Sequence, residues 1–196
     1  GFRGAGKRAA EGVLQGEVGR RRFASEVHRA IHVDREGVRG FGAAAAYRQL
    51  RDTLGVPPER IIIFGHSLGS AIAVELATRV PAAGLILDGA LLSGVARGQE
   101  IYPWLPVRLI ARNRFESNRK IGRLTLPKLF LHARADDVVP LDHGRRLFAL
   151  APEPKRLVEL AGGHGDAFVV DSAAYFGAIA GFVRELRRGE QPAQGW

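Results

Sequence analysis

The stretch RIIIFGHSLGSAIAVELA, Arg60 to Ala77, decides how the rest of the chain is read. It holds a β-branched apolar run, a serine between two glycines, and then a helical pattern. Ile61 to Phe64 is short and continuously apolar, which predicts a strand buried on both faces. Ser70 to Arg79 predicts a helix. Between them, Gly65-His66-Ser67-Leu68-Gly69 fits G-x-S-x-G, a pattern that sets its serine on a sharp strand-to-helix turn. Glycines flank that serine because side chains there would collide with the neighbouring helix and strand. The turn lifts the Ser67 hydroxyl above the sheet edge. It also aims the Leu68 backbone N–H, at the positive end of the helix, toward an oxyanion formed on a substrate. The plainer reading makes Ser67 only a small residue in a tight turn; the strand before it and the helix after it favour the chemical one.

The same alternation continues outward. Gly84–Asp88 (GLILD), Lys128–His132 (KLFLH) and Arg156–Leu160 (RLVEL) predict three more strands. Leu141–Leu150 predicts a helix, and Ser172–Arg187 a long amphipathic one. Strands alternating with helices at this spacing predict βαβ units: an α/β fold with a mostly parallel sheet flanked by helices. Upstream, AIHV at 30–33 is a candidate strand that partly covers the sheet edge, and Ala43–Leu54 a candidate helix. Residues 95–126 read as a long connection without a strand, with a short helix around Val107–Arg112. The organisation expected is an irregular basic segment at 1–42, a core at 43–188 and a tail at 189–196.

With 196 residues, 46% of them hydrophobic and 25% charged, the chain has the length and composition of one globular domain. No apolar run approaches the roughly 20 residues that span a bilayer, so no transmembrane segment is expected. There is no cysteine, which excludes disulfides and thiolate metal sites and fits a reducing compartment; a cytoplasmic location is the expectation. The net charge of +9 admits an anionic partner. The arginines are nevertheless spread along the chain, and no nucleic-acid reader motif is recognisable, so nucleic-acid binding is not expected.

A serine hydroxyl needs a base, and the base an orienting acid. Six histidines are available. His164, in AGGHGD, follows the last strand in a glycine-rich loop, from which it can swing over a serine at the same sheet edge. His132 ends a strand, His66 is the serine's neighbour, and His28 and His32 lie in the irregular region. His143, on a predicted helix face, reads as an exposed surface histidine. For the acid, HARADDVVP offers Asp136 and Asp137 just past a strand's C-terminal end, where ligands of open parallel sheets bind. Asp166 reads as a solvated neighbour of His164. The chain order is then Ser…Asp…His.

With these residues in hand, the chain resembles the α/β-hydrolase superfamily, in its branch without a large lid that includes serine-aminopeptidase-like, esterase and protein-depalmitoylase-like members. The resemblance runs from Tyr47 to Val183 through VPPERIIIFGHSLGSAIAVELA, GLILDGALLS, RFESNRKIGRLTLPKLFLHARADDVVP and KRLVELAGGHGDAF. The family's H-G-x-x-D pattern falls on His132 to Asp136, which selects Asp136 over Asp137, with Ala133 in place of the usual glycine. Its G-G-H motif falls on His164. The resemblance implies a serine hydrolase acting on an ester, thioester or amide, with Ser67, Asp136 and His164 catalytic, Leu68 in the oxyanion hole, and no cofactor or metal. Its expected partner is a small-molecule or acylated substrate, and it leaves oligomeric state open. Leu91, Leu92, Tyr102, Trp104, Leu105 and Phe115 are candidates to wall an acyl pocket, or else simply pack the top of the sheet. No H-G-G or H-G-N motif, the source of the family's second oxyanion donor, precedes Ser67. The resemblance therefore also implies that the family's first strands are missing. RGAG at 3–6 or RGFG at 39–42 is a candidate echo of an R-G-aromatic-G segment. A catalytically inactive fragment or binding module is the alternative.

Overall fold

A computed structural model of the chain describes residues 31–33, 41–111 and 114–189. His28, GRRR at 19–22, the RGAG tetrapeptide and the tail beyond 189 lie outside the described residues, as does most of the segment expected at 1–42. Five strands, β1 (Ile31–Val33), β2 (Ile62–His66), β3 (Gly84–Asp88), β4 (Lys128–Ala133) and β5 (Lys155–Leu160), form one sheet in sequence order. Every neighbouring pair is parallel, so all five strands end at the same edge. β1 pairs with β2 over Ile31↔Ile63 to Val33↔Gly65, and the edge of β2 is thereby covered.

Sequential parallel strands joined by right-handed crossovers place their helices on one face. That face packs α1 (Phe41–Arg48), α2 (Leu68–Ala77) and α5 (Leu141–Leu150) against Ile63, Leu85, Leu87 and Phe130. Between α2 and α5, the connection from β3 to β4 holds two short helices, α3 (Gly94–Ile101) and α4 (Val107–Ile110). The opposite face is covered by α7 (Ser172–Gly189), which follows the short α6 (Ala167–Val170). Phe182 of α7 comes so close to β3 that a Cβ on Gly84 would lie 2.8 Å from its ring.

This asymmetry corrects one expectation. β4 is buried along its whole length, whereas β2 is not buried on both faces: Ile63 and Gly65 are buried, and Ile62, Phe64 and His66 only half-buried. The cause is that α7 lies over β3, β4 and β5. The connection 95–126 also holds more helix than its sequence predicts, since α3 fills its first part; Ser93 caps that helix by accepting the Ala96 N–H. The region expected as one helix from Ala43 to Leu54 is α1 followed by a wider π turn over Gln49–Thr53.

Candidate active site

The turn at Ser67 is a single residue. β2 ends at His66 and α2 begins at Leu68, two residues earlier than the helical periodicity predicts. Ser67 alone therefore reverses the chain, at φ 55° and ψ −125°, a conformation that costs a non-glycine residue roughly 1–3 kcal/mol. Close packing pins it there. A Cβ on Gly65 would lie 2.3 Å from the Gly69 carbonyl oxygen and 2.7 Å from the Ala73 methyl. The Ser67 N–H donates to the Asp88 carbonyl across the strand ends, at 2.8 Å. Ser70, fully buried, donates its hydroxyl to the Ser67 carbonyl at 2.6 Å and accepts the Leu91 N–H at 2.9 Å. The Leu68 N–H, first in the helix, has no acceptor among the described residues.

Three residues far apart in sequence meet above this edge. Ser67 Oγ lies 2.8 Å from His164 Nε2, and His164 Nδ1 lies 2.8 Å from Asp136 Oδ2. The partners set the tautomer: a carboxylate only accepts, so Nδ1–H donates to Asp136 and the Nε2 lone pair faces the serine hydroxyl. The Asp136 carboxylate is 1% exposed, and its other oxygen accepts the Val138 and Val139 N–H groups at 3.0 and 2.7 Å. Gly89, at φ 57°, leaves room for this pair, since a Cβ there would sit 3.3 Å from the His164 ring. Asp137 and Asp166 stay apart from the contact. Asp137 offers its carbonyl to Arg97, and Asp166 accepts the Gly163 N–H at 2.6 Å within the histidine's loop.

The remaining histidines divide by burial. His66 Nε2–H donates to the His164 carbonyl at 3.0 Å, tying the His164 loop to the strand beside Ser67. His132 is fully buried; its Nε2–H donates to the Val139 carbonyl at 2.8 Å, and burial pushes its pKa down, so the ring is neutral. Gly144 is required beside it, for a Cβ there would lie 2.3 Å from His132 Nδ1. His143 is not the exposed surface histidine expected. It is 1% exposed, and its Nε2–H is shared by both oxygens of Glu100, at 3.0 and 2.9 Å.

Glu100 belongs to a clamp that sequence reasoning missed. Arg97, one turn earlier on α3, donates to the carbonyls of Val138 and Asp137 at 2.8 and 3.2 Å and pairs with Glu100 at 3.2 Å. Burial opposes ionisation of Glu100, but the bonds from His143 and Arg97 outweigh it and hold the carboxyl below its usual range. No local signal in the sequence announces these contacts, which span about 40 residues. Asp88 was also missed, though its place at the C-terminal end of β3 follows the logic that singled out Asp136. Its carboxyl accepts the Tyr175 hydroxyl at 2.9 Å. Burial pushes it above the ordinary carboxylate range, against the pull of His66, the Tyr175 bond, His132 and His164. Burial likewise pushes the Tyr175 phenol up.

The candidate pocket residues separate. Leu91 is buried with Ala71 and Val139, and Phe115, held at φ 45°, packs against them together with Leu68. Tyr102 and Trp104 stack edge to face but stay 49% and 76% exposed. Among the described residues there is no cluster of side chains fit to hold a metal ion, and no helix long and apolar enough to cross a membrane.

A parallel sheet flanked by helices, with a serine on the strand-to-helix turn and further polar groups at the same strand ends, is the fold of the α/β hydrolases. The chain belongs to the α/β-hydrolase superfamily. It is 39% identical over 144 residues to an uncharacterised protein of Mycobacterium tuberculosis H37Rv, covering 73% of this chain and 51% of that one. It is 31% identical over 140 residues to the alpha/beta hydrolase domain-containing protein aho-3 of Caenorhabditis elegans, covering 71% and 40%. The chain thus spans about half the length, or less, of these relatives. Among solved structures, the esterase domain of a Rhodothermus marinus protein superposes with a TM-score of 0.58 over 77% of this chain and 70% of that one; at 22% identity this likeness carries the fold alone. No protein-family model matches the chain.

Proposed function

We propose that the chain is a serine hydrolase that cleaves a carboxylic ester, thioester or amide through an acyl-enzyme intermediate. The observation that carries this reading is the unbroken relay from Asp136 through His164 to Ser67, with both contacts at 2.8 Å. Ser67 Oγ attacks the carbonyl carbon while His164 Nε2 takes its proton, and the Leu68 N–H donates to the oxyanion that forms. His164 then returns the proton to the leaving group. Water, with His164 again as base, releases the acid and restores the serine. Asp136 holds the imidazole in the productive tautomer and stabilises the imidazolium. The apolar Leu91–Phe115 cluster beside Leu68 favours an apolar acyl group over a charged one.

The second reading is a family member that binds without catalysis. The observation behind it is that the Leu68 N–H is the one oxyanion donor assigned among the described residues. Losing one oxyanion donor costs roughly 10²–10³ in kcat in well-studied hydrolases. Labelling with a fluorophosphonate probe separates the two. Labelling of the wild type that disappears in both Ser67→Ala and His164→Ala supports an activated nucleophile. A folded wild type that takes no label rules out the hydrolase reading and leaves the binding one.

A further inference from the structure

Large apolar side chains are exposed on this molecule in one place more than any other. Among the described residues, eight of the eleven lie on the β3–β4 connection, on the loop just after β4 and on the short α6 after β5. They are four residues between Ile101 and Leu109, then Val138, then the run Phe168–Val170. The strands are parallel, so all three connections rise from the edge that bears Ser67.

The first connection is the most telling. In IYPWLPVRLIARNR, residues 101–114, there is no acidic side chain and there are three arginines. Its inward side is fixed: Val107 is buried and fills the space above Gly98, where a Cβ would lie 3.0 Å from it. Its outward side carries Ile101, Tyr102, Trp104 and Leu109 at 50, 49, 76 and 85% exposure. Arg108 stands among them, exposed and with no carboxylate partner among the described residues. A connection adapted to water would turn polar groups outward; this one presents aromatic, aliphatic and cationic groups together. Tryptophan and tyrosine settle at the headgroup level of a bilayer, leucine enters the acyl boundary, and arginine pairs with anionic headgroups.

We propose that the Ile101–Leu109 connection is a docking surface for an anionic lipid bilayer, which it meets with the Ser67 edge of the sheet facing the membrane. Charge decides against a second copy of the chain as the occupant. The chain carries +9, and a self-complementary contact through this patch would set Arg108 close to its own equivalent. The proposal does not rest on Ser67 being catalytic, since docking requires only the surface.

The chain has two tryptophans, so Trp196→Phe leaves Trp104 as the sole reporter at the surface. That variant of the full chain is mixed with vesicles of phosphatidylcholine alone or of phosphatidylcholine with phosphatidylglycerol. Trp104 emission is expected to shift to the blue with the anionic vesicles, and the shift to collapse near 1 M salt, where the Debye length is about 3 Å. In the same background, Arg108→Gln should weaken vesicle partitioning about fivefold. Leu109→Ser should weaken it by roughly tenfold, from an exposed position that the fold does not need. Emission indifferent to anionic vesicles overturns the proposal. So does co-sedimentation unchanged in Leu109→Ser, which would place membrane binding elsewhere on the chain. A blue shift that grows with protein concentration in the absence of lipid also overturns it, in favour of a second copy. Fluorophosphonate labelling of the same samples reports on the serine independently of all these outcomes.

Discussion

The loop after β4 and the connection after β3 leave the same edge of the sheet, yet they use their side chains differently. In the loop from Asp136 to Val139, the carbonyls of residues 137, 138 and 139 are each taken by a buried or anchored donor: Arg97 holds the first two and His132 the third. The amides of Val138 and Val139 close on Asp136 itself. The connection around Trp104 is held by neutral groups instead, Gln99 of α3 donating to the carbonyls of Tyr102 and Pro103 at 3.4 and 3.0 Å. Tyr102 and Val107 tie it to α3, and the rest of its bulk faces outward. Backbone polar groups that are fully satisfied rigidify a segment. That is what a carboxylate needs if it is to hold an imidazole.

Four changes test the contrast, from the largest expected effect to the smallest. Asp136→Asn preserves the shape of the loop but turns a donor toward His164 Nδ1, favouring the wrong tautomer. The rate of fluorophosphonate labelling should fall on the order of 10⁴, with the fold unchanged in circular dichroism. An unchanged rate would mean that this rigid loop serves the fold and not the serine.

Arg97→Ala removes the clamp on two carbonyls and leaves Glu100 with His143 alone. Charge-assisted bonds of this kind are worth roughly 1.5–3 kcal/mol, to be read as a lower denaturation midpoint and faster amide exchange at Val138 and Val139. Arg97→Lys should recover only part, because one ammonium cannot span both carbonyls in a fixed fork. Exchange that rises equally across the molecule would contradict a local clamp.

Asp88→Asn concerns the strand lying between the two connections. Burial raises this carboxyl above the ordinary aspartate value of 3.8, so ionising it costs more in the folded protein than in the unfolded chain. Wild-type stability therefore falls as pH rises from 3.8 through the folded-state pKa. The asparagine variant escapes that loss while its amide oxygen still accepts from Tyr175. Its unfolding midpoint should exceed the wild type's at neutral pH and lose this advantage below pH 3.8. An advantage of equal size at both pH values would exclude burial of the charge as its cause.

Leu109→Ser completes the series: exposed and unpacked, it should leave stability within about 0.5 kcal/mol in urea denaturation. A larger loss would mean that the connection after β3 packs like the loop after β4.

The sheet was largely legible in the sequence because short apolar runs alternating with helical patterns have few other uses. β3 and α5 fall on the residues that their patterns predict. The boundaries around Ser67 were displaced because one strained residue does the work of a whole turn, and no periodicity marks a turn of that length. α3 was invisible for a different reason. Its two glycines and mixed polar residues give it a weak helical signal, and its contacts with the Asp136 loop and with His143 lie on other elements. His143 itself looked like surface because a helix pattern records which face is apolar, not whether a carboxylate waits opposite. Among the candidate site residues, Ser67, His164 and the pair Asp136 and Asp137 were legible through their position at strand ends, and the family resemblance chose Asp136. Arg97, Ser70 and Asp88 act through geometry that forms only once the strands are side by side.

The φ of 55° at Ser67 sets two kinds of selection against each other. A glycine there would relax the turn, so a library sorted purely for heat resistance should enrich Ser67→Gly, the substitution that deletes the hydroxyl. A library sorted for labelling by an acylating probe should discard it. The frequency of glycine at this single position then becomes a gauge of which pressure a population of variants has experienced.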